Sequence, residues 1–162
     1  MISQTAEYAL RAIVCLAEQP ELPRTTQEIA ARAKIPAGYL AKVMQSLVRA
    51  RLVSSQRGLR GGFTLRRAPA EMTVLDVVNA VDPVPRIREC PLGLPEHADR
   101  LCPLHDRLDQ ALANIESTFR ESKIAEMVGE RGSGLCYQPV PPAPARKRAR
   151  KAKPAPQGRP RS

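Results

Sequence analysis

Both histidines of the chain and two of its four cysteines fall in one 16-residue window, Cys90-Pro-Leu-Gly-Leu-Pro-Glu-His97-Ala-Asp-Arg-Leu-Cys102-Pro-Leu-His105. Thiolate and imidazole are the donors that zinc and iron–sulfur clusters take. Cys102 and His105 stand in CxxH spacing at the start of a helical pattern, close enough to chelate one metal site. Proline and glycine around Cys90 suit a chain that folds back onto an ion. These residues leave three states open. One is a [2Fe–2S] cluster with mixed ligands, whose nitrogen donors raise its potential. The second is zinc. The third is no metal, with Cys90 and Cys102 as a thiol switch. Cys15 lies on the apolar side of the first helical pattern and reads as core. Cys136 stands in a Gly- and Pro-rich tail and reads as inert.

A second constellation occupies residues 25–66, TTQEIAARAKIPAGYLAKVMQSLVRARLVSSQRGLRGGFTLR. Two short helical patterns run into a glycine-rich hairpin studded with arginine. That order, helix-turn-helix then basic wing, suits docking on duplex DNA. The second helix of the pair should lie in the major groove. Tyr39, Lys42 and Gln45 share its polar face and reach furthest. Gln45 suits adenine, and Lys42 suits guanine or a phosphate. Arg57 and Arg60 sit at the hairpin tip, with Arg60 expected in a minor groove. Ala37 and Gly38 are small, either for a tight turn after Pro36 or to let the backbone approach the duplex.

Charge supports this locally rather than in bulk. The formal net charge is +10, but eight of the 26 basic residues follow Pro139 with no acid among them. Residues 1–138 are left with 18 basic against 16 acidic groups, close to neutral. Between Arg49 and Arg67 there are six arginines and no acid, a one-signed patch of the kind that meets phosphates. The run RKRARKAK, residues 146–153, follows the linker PVPPAPA and reads as a non-specific DNA arm or a solubilising tail.

The elements that must position these groups follow from periodicity. Ala6, Ala9, Leu10, Ile13, Val14, Leu16 and Ala17 give a first helix, ended by Pro20 and Pro23. Thr25 or Thr26 caps a short second helix, with Glu28 placed for a capping box. Lys34-Ile35-Pro36 makes the turn. Leu40, Val43, Met44, Leu47 and Val48 form a full buried stripe on the third helix. Strands are expected over Leu52–Arg57 and Phe63–Arg67. Thr73 caps a fourth helix over Val74–Val81. After a Pro-rich loop, Leu104, Leu108, Ala111, Leu112, Ile115 and Phe119 mark a long amphipathic helix, and a short turn follows near Ile124–Val128. With two Phe, three Tyr and no Trp, the core must be aliphatic. The expected fold is mainly α with a small β-hairpin wing: a winged helix-turn-helix plus a long dimerisation helix.

The expected organisation is a DNA-binding domain over 1–82, a sensor loop over 83–103, a dimerisation region over 104–130 and a disordered basic tail over 131–162. No apolar run approaches the length of a membrane span. The N-terminus has no basic n-region and carries Glu7 and Glu18 in its apolar stretch, so a cytoplasmic location is expected. RGLRGG lacks the strand–GxxxxGK–helix context of a phosphate loop. No acid–base pair stands by the thiols beyond the histidines and scattered carboxylates, so no enzyme is expected.

The phrase LVxSxRGxxGGFxL, running from Leu52 to Leu65, resembles the wing of the bacterial family that includes IscR and NsrR, the Rrf-two family. AEYALRAI, GYLAKVMQSLVRARLV and VLDVVNAVD are similar to that family too, over about residues 1–130. The resemblance implies a homodimeric transcription regulator, a repressor, with the stripe from Leu104 to Phe119 as the dimer seam. Without the family, that stripe reads equally as core. The resemblance also implies an iron–sulfur cluster on the loop before the long helix. Relatives with a cluster supply three loop cysteines, whereas this loop has two, and His97 is the nearest replacement for the missing one. Cys102 matches the last cysteine, and His105 matches a histidine ligand of IscR-like members. Glu7 stands where NsrR-like members supply an acid from the partner subunit. The implied set is Cys90, Cys102 and His105, with His97 or Glu7 as fourth ligand.

Overall fold

Alanine recurs along one face of the first helix and lets its neighbours pack closely. Helix α1 (Gln4–Ala17) buries Ala6, Ala9, Ala12, Ile13 and Leu16, and it contacts α2 (Thr26–Ala33), α3 (Ala37–Arg49) and α4 (Val74–Val81). The computed structural model describes residues 2–58, 61–93 and 100–128. Arg60, His97, Cys136 and the basic tail lie outside the described residues.

Both expected caps are present. Thr25 accepts from the Glu28 amide at 3.2 Å, and Glu28 accepts from the Thr25 amide at 2.7 Å. The Thr25 amide and the Thr25 hydroxyl, both donating to the Glu28 carboxylate, hold it below its ordinary value. Thr73 and Asp76 repeat the box on α4. Lys34 ends α2 in the left-handed region, φ 53°, and turns the chain so that Ile35 enters the core. On α3, Leu40, Val43, Met44 and Leu47 are buried and leave the opposite face in solvent.

Strand β1 (Val53–Gln56) pairs antiparallel with β2 (Gly62–Leu65), Val53 opposite Leu65 and Gln56 opposite Gly62. Both strands are shorter than periodicity suggested, and β2 begins one residue earlier. Gly62 belongs to β2 because it pairs with Gln56, and β2 has a second partner on its other edge. Phe63 exchanges both backbone hydrogen bonds with Arg24, at 2.8 and 3.1 Å, which ties the wing to the segment before α2. A Cβ on Gly62 would stand 2.7 Å from the Arg24 carbonyl, so this strand edge requires glycine.

Helix α5 (Pro103–Glu121) is nineteen residues long and none of them is buried. Leu104, Leu108 and Ile115 are 64, 47 and 41% exposed. Its far end is anchored by α6 (Ile124–Met127). The Val74 amide donates to Ser122 O at 3.0 Å, and the Ile124 amide donates to Met72 O at 2.9 Å. Ile124 itself is fully buried among Met72 and the α1 core. Ile124→Ala is therefore expected to cost about 2–5 kcal/mol of unfolding free energy, while Ile124→Val costs about 1. Denaturant unfolding checks this. A loss below 1 kcal/mol for the alanine variant would mean the anchor is peripheral.

Candidate nucleic-acid interface and thiol–imidazole cluster

The turn at Lys34-Ile35-Pro36 aims the N-terminus of α3 outward. Pro36 precedes the helix, and no side chain caps its first amides. Such free N–H groups at a positive helix end suit phosphate oxygens. A Cβ on Gly38 would meet nothing within 4 Å, so the fold itself does not need glycine there.

Lys42 and Gln45 are exposed on one face of α3, as their spacing required. Tyr39 is 40% exposed but tethered. Its hydroxyl hydrogen-bonds that of Thr5, and its ring meets the edge of Tyr8 at 5.5 Å between centroids. Arg11 stands over the other side of the Tyr8 pair, 6.0 Å from that ring centre. Helix α1 thus braces the face that carries Tyr39. Thr5 and Tyr8 were not anticipated from sequence. The concentration of two of only three tyrosines near the ends of neighbouring helices was the available clue. Arg57 is exposed just beyond β1, and Arg49 and Arg51 are exposed at the end of α3. Arg67 is drawn off to Asp76 at 3.7 Å.

The second constellation assembles at the other end of the molecule's long helix. Cys102 is the residue before α5, Pro103 begins it, and His105 lies in its first turn. The CxxH spacing brings Cys102 Sγ to 3.2 Å from His105 Nδ1. Cys90 Sγ reaches the same nitrogen at 3.8 Å from across the loop. One ligand atom from each of the three lies within 4.8 Å of the others. Two thiols and one imidazole converging this way fit a thiophilic metal or an iron–sulfur centre, which take these donors. A complete four-donor set needs one more group. Glu7 is not near these three: it stands on α1, paired with Arg11 at 3.2 Å. Cys15 is wholly buried, as expected.

The contacts between the segment before Cys90 and α5 were not foreseen. Arg86 grips Asp109 with both Nε and a terminal nitrogen, at 2.8 and 2.6 Å, and reaches Glu116 at 3.2 Å. The Ile87 amide donates to the same Asp109 carboxylate at 2.8 Å. Arg86 and the Ile87 amide hold the Asp109 carboxyl down at about 2, and Arg86 is raised in turn. Because the folded value is depressed, the pairing stabilises fully above the ordinary carboxylate range and is lost only as pH falls through about 2.

A family model described as Rrf2, iron-dependent transcriptional regulator, matches residues 2–130. A chain of Aquifex aeolicus assigned as an HTH-type transcriptional regulator is 31% identical over 131 residues, covering 79% of this chain and 91% of that one. One from Mycobacterium tuberculosis is 32% identical over 130 residues, covering 79% and 81%. Among solved structures, CymR, the global cysteine regulator of B. subtilis, superposes with TM-score 0.66 at 22% identity, over 79% of this chain and 95% of that one. IscR of T. potens gives 0.65 at 23%, over 79% and 85%. The solved structures share the winged-helix fold, and the sequence relatives are regulators, not enzymes. With a recognition helix and wing in this order and a family match across nearly all of the described residues, the chain belongs to the Rrf2 family of transcriptional regulators.

Proposed function

We propose that the chain is a dimeric operator-binding repressor whose hold on DNA is set by a [2Fe–2S] cluster, or by redox state, at Cys90, Cys102 and His105. One observation carries the reading: three donor atoms within 4.8 Å of one another at the head of a helix whose apolar face is open. The family description, iron-dependent transcriptional regulator, and the likeness to IscR support it. His97, or Glu7 from a second copy, completes the ligand set. When bound, the group supplies a redox-active centre.

The rest is the work of the chain's own residues. Cys102 and His105 define the first turn of α5, and Cys90 pulls the loop onto it. The other end of α5 is hydrogen-bonded to the start of α4 through Ser122 and Val74. Helix α4 packs on α1 and α3, and α1 holds Tyr39. A change at the head of α5 thus has a packed route to the face that carries Tyr39, Lys42 and Gln45. These read base edges, while Arg57 and Arg60 hold the flanking backbone or minor groove. Such coupling requires two distinct dimer states with different DNA affinity.

Anaerobic isolation with iron and sulfide assay tests the sensor, followed by operator binding before and after oxidant. A colourless, iron-free protein that binds its operator fully would overturn it. Gly38→Ala tests the docking face. It should raise stability by about 0.4–1 kcal/mol, since alanine loses less chain entropy in a helix. It should also weaken operator binding roughly tenfold, about 1.4 kcal/mol, by lifting the backbone off the duplex. Equal or tighter DNA binding would place the helix N-terminus away from the groove.

A further inference from the structure

Arg86 and Asp109 stand in a register that the metal donors share. Cys90 is four residues after Arg86, and His105 is four residues before Asp109. The segment after α4 therefore runs antiparallel to α5, with Arg86–Asp109 as one rung and Cys90–His105 as the next. On α5, His105 and Asp109 are one turn apart and face the same way. Four hydrogen bonds tie residues 86 and 87 to α5, and all end on Asp109 or Glu116. The fork is bidentate, which fixes orientation as well as distance.

We infer that Arg86, held by Asp109 and Glu116, is a positioning residue that keeps the Cys90 arm beside Cys102 and His105 before any metal arrives. Without it, the segment relies on single hydrogen bonds, the Val84 amide to Asn79 Oδ1 at 3.3 Å and the Ile87 amide to Asp109 at 2.8 Å, which orient the Cys90 arm less firmly than a bidentate fork. The third donor would then be supplied at a lower effective concentration. The inference rests on the metal-site reading above for its function, but the staple's effect on Cys90 has a readout of its own without metal.

The full-length chain is titrated anaerobically with Co2+ alone, following thiolate-to-cobalt absorption. Arg86→Ala and Asp109→Ala should each weaken binding about 10- to 100-fold, the range for losing an outer support of a ligand. The double variant should lose less than the sum of the two single losses, because the two residues share one pairing. The exchanged pair, Arg86→Asp with Asp109→Arg, should recover part of the loss. Both residues are partly exposed and outside the core, so far-UV circular dichroism should be unchanged. Affinities equal to wild type in both single variants overturn the inference.

The metal-free arm uses diamide, which takes up two electrons and two protons as the two thiols of Cys90 and Cys102 join in a disulfide. Peptide mapping follows that bond, and Arg86→Ala should slow its formation about tenfold. If wild type binds no cobalt, the metal-site reading falls and this rate alone decides. A slowed rate sustains the staple, and an unchanged rate overturns it.

Discussion

Replacing Leu108 and Ile115 together by glutamate is expected to leave a folded monomer that no longer holds its operator. The two residues are 47 and 41% exposed on a helix that buries none of its nineteen residues. Leu104, one turn before Leu108, extends the same apolar run and is 64% exposed. A contiguous apolar face on an otherwise charged helix marks an association surface rather than a scatter of single residues. A second face of α5 closes on its own chain: Leu112, Ile115 and Phe119 line a groove of about 750 Å³ with Ile2, Ala6, Val78 and Val84. Ile115 borders both regions.

In a two-fold dimer each substitution is made twice, and carboxylates would replace leucine and isoleucine against like groups. Losing two apolar contacts per copy and adding buried charge should raise the dimer dissociation constant at least ~100-fold, about 2.7 kcal/mol. A monomer grips one half-site only, so operator affinity should fall toward the non-specific level, roughly 10²–10³-fold or more. Folding stability should fall by about 0.5–3 kcal/mol, because Ile115 also lines the groove against Ile2, Ala6 and Val78, while the core itself is untouched. Sedimentation and fluorescence anisotropy on the same preparation check both parts. An unchanged sedimentation coefficient would show that α5 is not the seam, and the expectation that Leu104–Phe119 pairs across a two-fold axis would be lost.

The contrast between what the sequence disclosed and what it withheld follows contact distance along the chain. The box of Thr25 and Glu28 is local, three residues apart, and both halves were visible in advance. The stripe of Leu40, Val43, Met44 and Leu47 was equally legible, since helix period and burial coincide there. Cys102 and His105 meet because CxxH at a helix start leaves them little choice. Cys90 joins them over fifteen residues, on a segment that also pairs Arg86 with Asp109 across twenty-three. No periodicity encodes such a pair, because many arginines and acids are interchangeable until the chain is folded. The Tyr39–Thr5 tether, thirty-four residues apart, was hidden for the same reason. Gly62 joins β2 by pairing with Gln56, and β2 gains Arg24 as a second partner from a segment that carries no strand pattern. The stripe on α5 was ambiguous between core and seam from spacing alone. Burial divides it: Leu104, Leu108 and Ile115 are exposed, whereas Phe119 packs against the core.

Cys102→Ala is expected to abolish metal loading and, with it, the response of DNA binding to oxidant. Cys102 contributes twice. Its sulfur is one of three converging donors, 3.2 Å from His105 Nδ1, and its backbone carbonyl accepts from Asp106 at 2.9 Å to start α5. Alanine keeps the backbone bond and removes only the sulfur, so the helix should still begin at Pro103. Metal-binding free energies of about 10–16 kcal/mol spread over four ligands assign roughly 3 kcal/mol to each, so the loss should exceed ~100-fold. That leaves anaerobically isolated protein with less than about a tenth of the wild-type iron, a tenfold difference being only about 1.4 kcal/mol. The control is Cys15→Ala. Cys15 is fully buried beside Val14 and Met127 on α1, away from the three donors, and its variant should load normally. Operator titrations then separate sensing from docking. The Cys102 variant should bind with one affinity whether or not oxidant is added, while the Cys15 variant should keep two. If the Cys102 variant still changed affinity on oxidation, the signal would have to enter elsewhere, and the cluster of Cys90, Cys102 and His105 would lose its claim to be the switch.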